Sequence, residues 1–150
     1  MRPGVLSQKG FLGTAEKLID LLVEDEKMLD QIGVTYNAIA DKLELLIKTA
    51  LENPRHNVSI GIFRISVTVF PGFQICPWAP DIHSGQCTYG QGVRYGSLDW
   101  CIRNLESDIQ MCGSGLMVHL IRDHHFFEGL ESPYRVDPIK IARLLKVDMK

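Results

Sequence analysis

The sequence predicts an α+β fold: an N-terminal antiparallel helical hairpin, an antiparallel sheet of four or five strands, and two short C-terminal helices. Three observations carry this. Apolar residues recur at helical spacing through the first third of the 150 residues, then alternate one-in-two through the middle third. The connections between the alternating runs are too short for parallel crossovers. The hairpin is placed at about 14–53, the strands at about 57–112 and the last helices at about 115–146, all within one domain.

Thr14 is read as the first N-cap, with Glu16 in the first turn where an acidic side chain complements the helix dipole. Leu18, Leu22, Met28, Leu29 and Ile32 form the apolar stripe, and Gly33 supplies the left-handed stop. Thr35 caps a second helix with Ile39, Leu43, Leu46, Ile47, Ala50 and Leu51 on one side. Asn53-Pro54 ends it, because the residue before proline is pushed out of the helical region. Both helices carry apolar residues beyond one stripe: Leu21 and Val23 in the first, Leu45 and Thr49 in the second. A helix apolar on more than one side needs more than one partner surface, which points to a homo-oligomer, a two-fold dimer first.

Val58, Ile60 and Ile62 alternate with small residues, and Phe63, Ile65, Val67 and Val69 alternate with polar ones. The phase flips between Ile62 and Phe63, read as a β-bulge or strand bend. Pro71-Gly72 reads as a turn before a short strand from Phe73 to Cys76. A strand over 99–105 turns at Glu106-Ser107-Asp108 and pairs with 109–112, which places Cys101 and Cys112 roughly opposite each other. Ser114 is read as the cap of a helix over 115–125, and Asp137-Pro138 as the start of the last helix.

Composition excludes several function classes. Hydrophobic residues make up 45% and charged residues 23%, the balance of a globular chain rather than a disordered one. No apolar run approaches the ~18 residues of a membrane-spanning helix, so no membrane partner is expected. The net charge is −2. Thr35, Ile39, Ala40 and Leu43 echo the first helix of a helix-turn-helix, but residues 1–52 hold 6 Lys and Arg against 9 Asp and Glu. That net of −3 is the wrong sign for phosphate contacts, so no nucleic-acid partner is expected. The start of the chain lacks the apolar core and cleavage site of a secretory leader, so the expectation is a cytoplasmic protein with all four cysteines reduced.

The densest titratable run is 119–128. On a helix, His119 and Asp123 lie four apart on one face, a geometry for two ligands of one divalent metal such as zinc. His83 and Cys87 in the glycine-rich loop are the candidates to complete that site. His124 reads instead as a core histidine bonded to backbone. Trp78, Trp100, Tyr134 and Arg135 are the candidates for a small-molecule pocket between the sheet and the C-terminal helices. Arg135 has a structural alternative, an ion pair with Asp137 or Glu131. Two function readings follow: a homo-oligomeric binding or interaction domain without catalysis, or a metal-dependent, hydrolase-like enzyme centred on His119 and Asp123.

Overall fold

A computed structural model describes residues 11–13, 16–79, 87 and 95–147. Helices α1 (Leu18–Ile32) and α2 (Tyr36–Glu52) are followed by strands β1 (Asn57–Ile60), β2 (Phe63–Gln74), β3 (Tyr95–Asn104) and β4 (Gln110–Ser114). Helices α3 (Met117–His124) and α4 (Pro138–Leu145) close the chain. The strands form one antiparallel sheet in sequence order, so the fold is the α+β arrangement the patterning predicts.

Several local signals act as expected. Gly33 adopts φ 67°, the left-handed conformation that ends α1. The Thr35 hydroxyl accepts from the Ala38 N–H at 3.1 Å. Asp137 caps α4 by accepting from the Lys140 N–H at 2.8 Å, with Pro138 next. Helix α1 begins later than expected, after Lys17, and Thr14 lies outside the described residues. Glu16 precedes the helix. Its carboxylate accepts from the backbone N–H of Gly13 and, at 2.5 Å, from that of Leu130.

The sheet differs from the sequence expectation in two places. The phase flip at Ile62 and Phe63 is a two-residue hairpin, not a bulge: Ile60 pairs with Phe63, and Gly61 takes φ 56°. Pro71-Gly72 is the reverse case, a bulge rather than a turn. Strand β2 runs on through it, and four residue steps from Val69 to Phe73 face two on β3, from Leu98 to Gly96. At the other end Ser114 finishes β4 rather than capping α3, whose N-cap position is Leu116.

One face of the sheet is apolar and covered. Phe63, Ile65, Val67, Trp100 and Ile102 are buried on it; α2, whose own buried residues include Ile39, Leu43 and Ile47, lies against β1 and β2, and α4 against β3. Each such side chain removed from water contributes about 1.5–3 kcal/mol. Helix α2 contacts β1, β2, α3 and α4, while α1 lies on α4. A buried ion pair ties α1 to the loop before α4: Arg135 Nη1 and Nη2 donate to Asp25 Oδ2 and Oδ1 at 2.9 and 2.7 Å. Arg135 therefore pairs across the molecule, not with Asp137 or Glu131. Its Nη1 also donates to the Glu128 carbonyl at 2.7 Å.

Cys101 and Cys112 lie directly opposite, as the turn count requires, with Cα atoms 4.1 Å apart. They are joined in a disulfide. The expectation of four reduced thiols is thus overturned for this pair, because strand register holds the two sulfurs together. Only Cys76 and Cys87 still bear on the argument for a reducing compartment. No described helix is long and apolar enough to cross a membrane.

Glu128 gives the fold a pH dependence. Its side chain is buried, accepts from the Ser132 hydroxyl at 2.9 Å, and has its pKa raised by burial from 4.5 to about 7. The folded state holds this proton more tightly than the unfolded state. Below pH 4.5 both states are protonated and the group costs nothing. Between about 4.5 and 7 stability falls as pH rises, and above 7 the full cost of about 3 kcal/mol is present. Glu128→Gln keeps the acceptor and removes the charge. Urea denaturation at pH 5 and pH 8 should show the variant more stable than wild type at pH 8 and nearly equal at pH 5.

Candidate metal centre

The centre is assembled from the segment after β2 and from α3. Gln74, the last residue of β2, bridges the two: its Oε1 accepts from the Leu116 N–H at 2.6 Å and its Nε2 donates to the Leu98 carbonyl at 3.2 Å. The chain leaving β2 is thereby held against the start of α3, and two residues later Cys76 reaches the helix. Helix α3 is seated on α2 by its buried Leu120 and Ile121 and by Arg122, which binds Glu44 at 3.0 Å and Asp41 at 2.7 Å. This leaves His119 facing inward, fully buried, and His124 half-buried at the helix end.

Four side chains converge. Cys76 Sγ lies 3.3 Å from both His119 Nε2 and His124 Nε2, and Cys87 Sγ lies 3.4 Å from His124 Nε2. The two Nε2 atoms are 3.2 Å apart, and all four donor atoms fall within 4.8 Å of one another. Zinc bonds of about 2.3 Å to sulfur and about 2.0–2.1 Å to nitrogen imply tetrahedral edges of about 3.3–3.8 Å. The contacts of 3.2–3.4 Å are already near that size, and the widest separation, within 4.8 Å, has about 1 Å to close.

The surroundings suit a cation. His119 Nδ1 lies 2.7 Å from Asp123 Oδ2, the carboxylate–imidazole contact that keeps the proton on Nδ1 and frees Nε2 as a donor. The His124 ring stacks on Trp78 at a centroid distance of 4.1 Å, and Trp78 meets the edge of Phe126. Burial pushes the Cys76 thiol up to about 12, against backbone hydrogen bonds from Trp78 and Ala79, with Cys87 adding to the rise. Burial and then neighbouring His119 lower His124 to about 4. Both shifts express the cost of charge in a dry pocket, and a bound divalent ion inverts that cost.

The predicted residues fall out as follows. His119 and Cys87 are in the cluster. Asp123 is not among the four converging donors; it holds His119. His83 lies outside the described residues. Cys76 and His124 were not among the expected ligands. His124, expected as a core histidine bonded to backbone, is five residues from His119, about 140° around an ideal helix, so helical spacing alone does not place the two on one face. It sits instead at the last position of α3, before the left-handed residue His125. A spaced Cys–Cys pair followed by a His–His pair was the available signal.

The four candidate pocket residues are dispersed. Trp78 is against His124, and Trp100 is in the sheet core with Nε1 donating to the Ser114 carbonyl at 2.8 Å. Tyr134 is exposed, and Arg135 is committed to Asp25. Comparison of the chain with family models, with curated proteins and with solved structures finds no match.

Asp123→Asn should leave the fold intact but loosen the His119 ring. Its affinity for an added divalent metal ion, measured by chelator competition, should fall by about 10–100-fold, the usual cost of losing such a partner.

Proposed function

We propose that this chain is a non-catalytic binding or interaction domain whose fold is completed by one zinc ion held by Cys76, Cys87, His119 and His124. The observation that carries this reading is the approach of all four donor atoms to within 4.8 Å. Two thiolates and two imidazoles are a donor set for zinc, and softer ligands of this kind disfavour magnesium or calcium. Four protein ligands also fill a tetrahedron, as structural zinc sites do, whereas catalytic sites keep a position for water. The hydrolase-like reading centred on His119 and Asp123 has less support, since Asp123 is taken up in orienting His119.

The zinc would join the segment after β2 to α3, two parts of the chain more than 40 residues apart. Holding them together stabilises the folded state by mass action, about 2.7 kcal/mol at a hundredfold excess over the dissociation constant. Protein purified without chelator or histidine tag should contain one zinc per chain by elemental analysis. Chelator should lower its melting temperature by about 5–10 °C. Cys76→Ser should carry little zinc and melt at the same temperature with and without chelator. Absence of metal together with an unchanged melting curve would refute the reading.

The contact surface of such a domain is proposed to be shared between two copies. Leu21 is buried within the chain, but Val23 is 42% exposed and Leu45 58% exposed. Leu45 borders a groove with Thr49, Ile60, Ile62 and Phe63, between α2 and the β1–β2 hairpin. Sedimentation should give about twice the 16.9 kDa chain mass at tens of micromolar, and Leu45→Glu should halve it. A monomeric wild type would remove the dimer and leave the zinc site standing.

A further inference from the structure

The outer face of the sheet, opposite the core, is polar in every row. Asn57, Ser66, Cys101 and Cys112 align across the four strands, and Ser59, Arg64, Arg103 and Gln110 form the next row. Arg64 and Arg103 are direct partners on β2 and β3. Like charges directly opposite each other destabilise a sheet unless something negative lies between or above them. Arg103 has a partial answer, since its Nε and Nη2 both donate to Asp108 Oδ1 in the β3–β4 turn. Arg64 makes no ion pair among the described residues. The nearest acidic position on the same face, Asp99, pairs with Thr68 two rows away.

Between the arginines and their neighbours lies a cavity of about 190 Å³ lined by Asn57, Arg64, Ser66, Cys101, Arg103 and Gln110. Among the described residues no acidic side chain lines it, Asp108 meeting Arg103 from the β3–β4 turn. The Arg64 guanidinium, the part of the Arg103 guanidinium not taken by Asp108, two side-chain amides and a hydroxyl line one space with N–H or O–H donors. The Cys101–Cys112 disulfide fixes β3 to β4 beside it, so the spacing of Arg103 and Gln110 from β2 is held.

We propose that this cavity is an oxyanion site, suited to a phosphoryl group. The planar fork of Arg64 matches phosphate oxygens, Arg103 adds the guanidinium edge that Asp108 does not take, and a bound dianion relieves the repulsion between the two cations. Ser66, Asn57 and Gln110 supply the neutral hydrogen bonds that select a tetrahedral anion over chloride. The site is independent of the Cys/His centre, and its test does not depend on metal content.

The test is a nitrogen–proton NMR titration of the wild-type protein with inorganic phosphate and, separately, with O-phosphoserine, each against sodium chloride of equal ionic strength. Saturable shifts confined to 57, 64, 66, 101, 103 and 110, at low-millimolar ligand, support the proposal. The tighter of the two ligands tells whether a free anion or a phosphorylated side chain is the source. Arg64→Gln should weaken binding at least tenfold, and Arg64→Lys, which keeps the charge but not the fork, should fall between. Arg64 is exposed, so neither variant should change the melting temperature by more than a degree or two. Shifts that are linear in ligand, reproduced by chloride, or unchanged in Arg64→Gln overturn it.

Discussion

The seating of α3 against α2 is the constraint on which the rest of this molecule turns. Eight residues are too few for a helix to persist on its own in water, so α3 exists because something holds it. Leu120 and Ile121 bury their side chains toward the core, and Arg122 clamps two acidic residues one turn apart on α2. Just beyond the helix, the His125 ring stacks on Tyr36 at 3.9 Å. These contacts fix the rotation of α3 about its axis. That rotation turns His119 inward and lets the end of the helix bring His124 alongside it.

A rotation fixed in this way exposes the protein to a cost. It places two imidazoles and two thiols in a pocket walled by Trp78 and Phe126, where polar groups are expensive unless satisfied. Compensation comes from within the chain: Asp123 meets one nitrogen of His119, backbone N–H groups of Trp78 and Ala79 meet the Cys76 sulfur, and the donor atoms of the cluster lie against one another. Two thiols and two imidazoles so placed could serve a divalent ion as a ligand set, and binding would then be coupled to the folding that brings them together.

The elements whose formation depends on neighbours in sequence were legible, and those that depend on distant parts of the chain were not. Thr35, Gly33, Asn53-Pro54 and Asp137-Pro138 act within a few residues of themselves, and each does what its chemistry dictates. The hairpin at Gly61 was misread because a phase flip looks the same whether a strand bends or turns back, and only the pairing of Ile60 with Phe63 separates the two. Ser114 was misread because a serine before an apolar run suits a cap and a strand end equally. At the candidate metal centre, local spacing is enough to single out His119. Cys76 needed Gln74 to carry it to α3, a contact spanning 42 residues that no periodicity encodes. For the same reason neither the pocket role nor the local ion pair that the sequence suggests for Arg135 holds: its carboxylate partner lies 110 residues away on α1.

The four cysteines show how position decides the chemistry of one residue type. Cys101 and Cys112 are paired by register on the polar face of the sheet, where two rigid strands hold the sulfurs together whatever the rest of the chain does. Cys76 and Cys87 lie under α3, each within 3.4 Å of a histidine nitrogen, and remain thiols. Closing a second disulfide there would take both sulfurs from the histidines that approach them and leave buried imidazoles with fewer partners. Strand register favours the oxidised pair and helix seating favours the reduced one. The same chain therefore sustains a disulfide on its open face and a thiol–imidazole cluster in its interior, through packing alone.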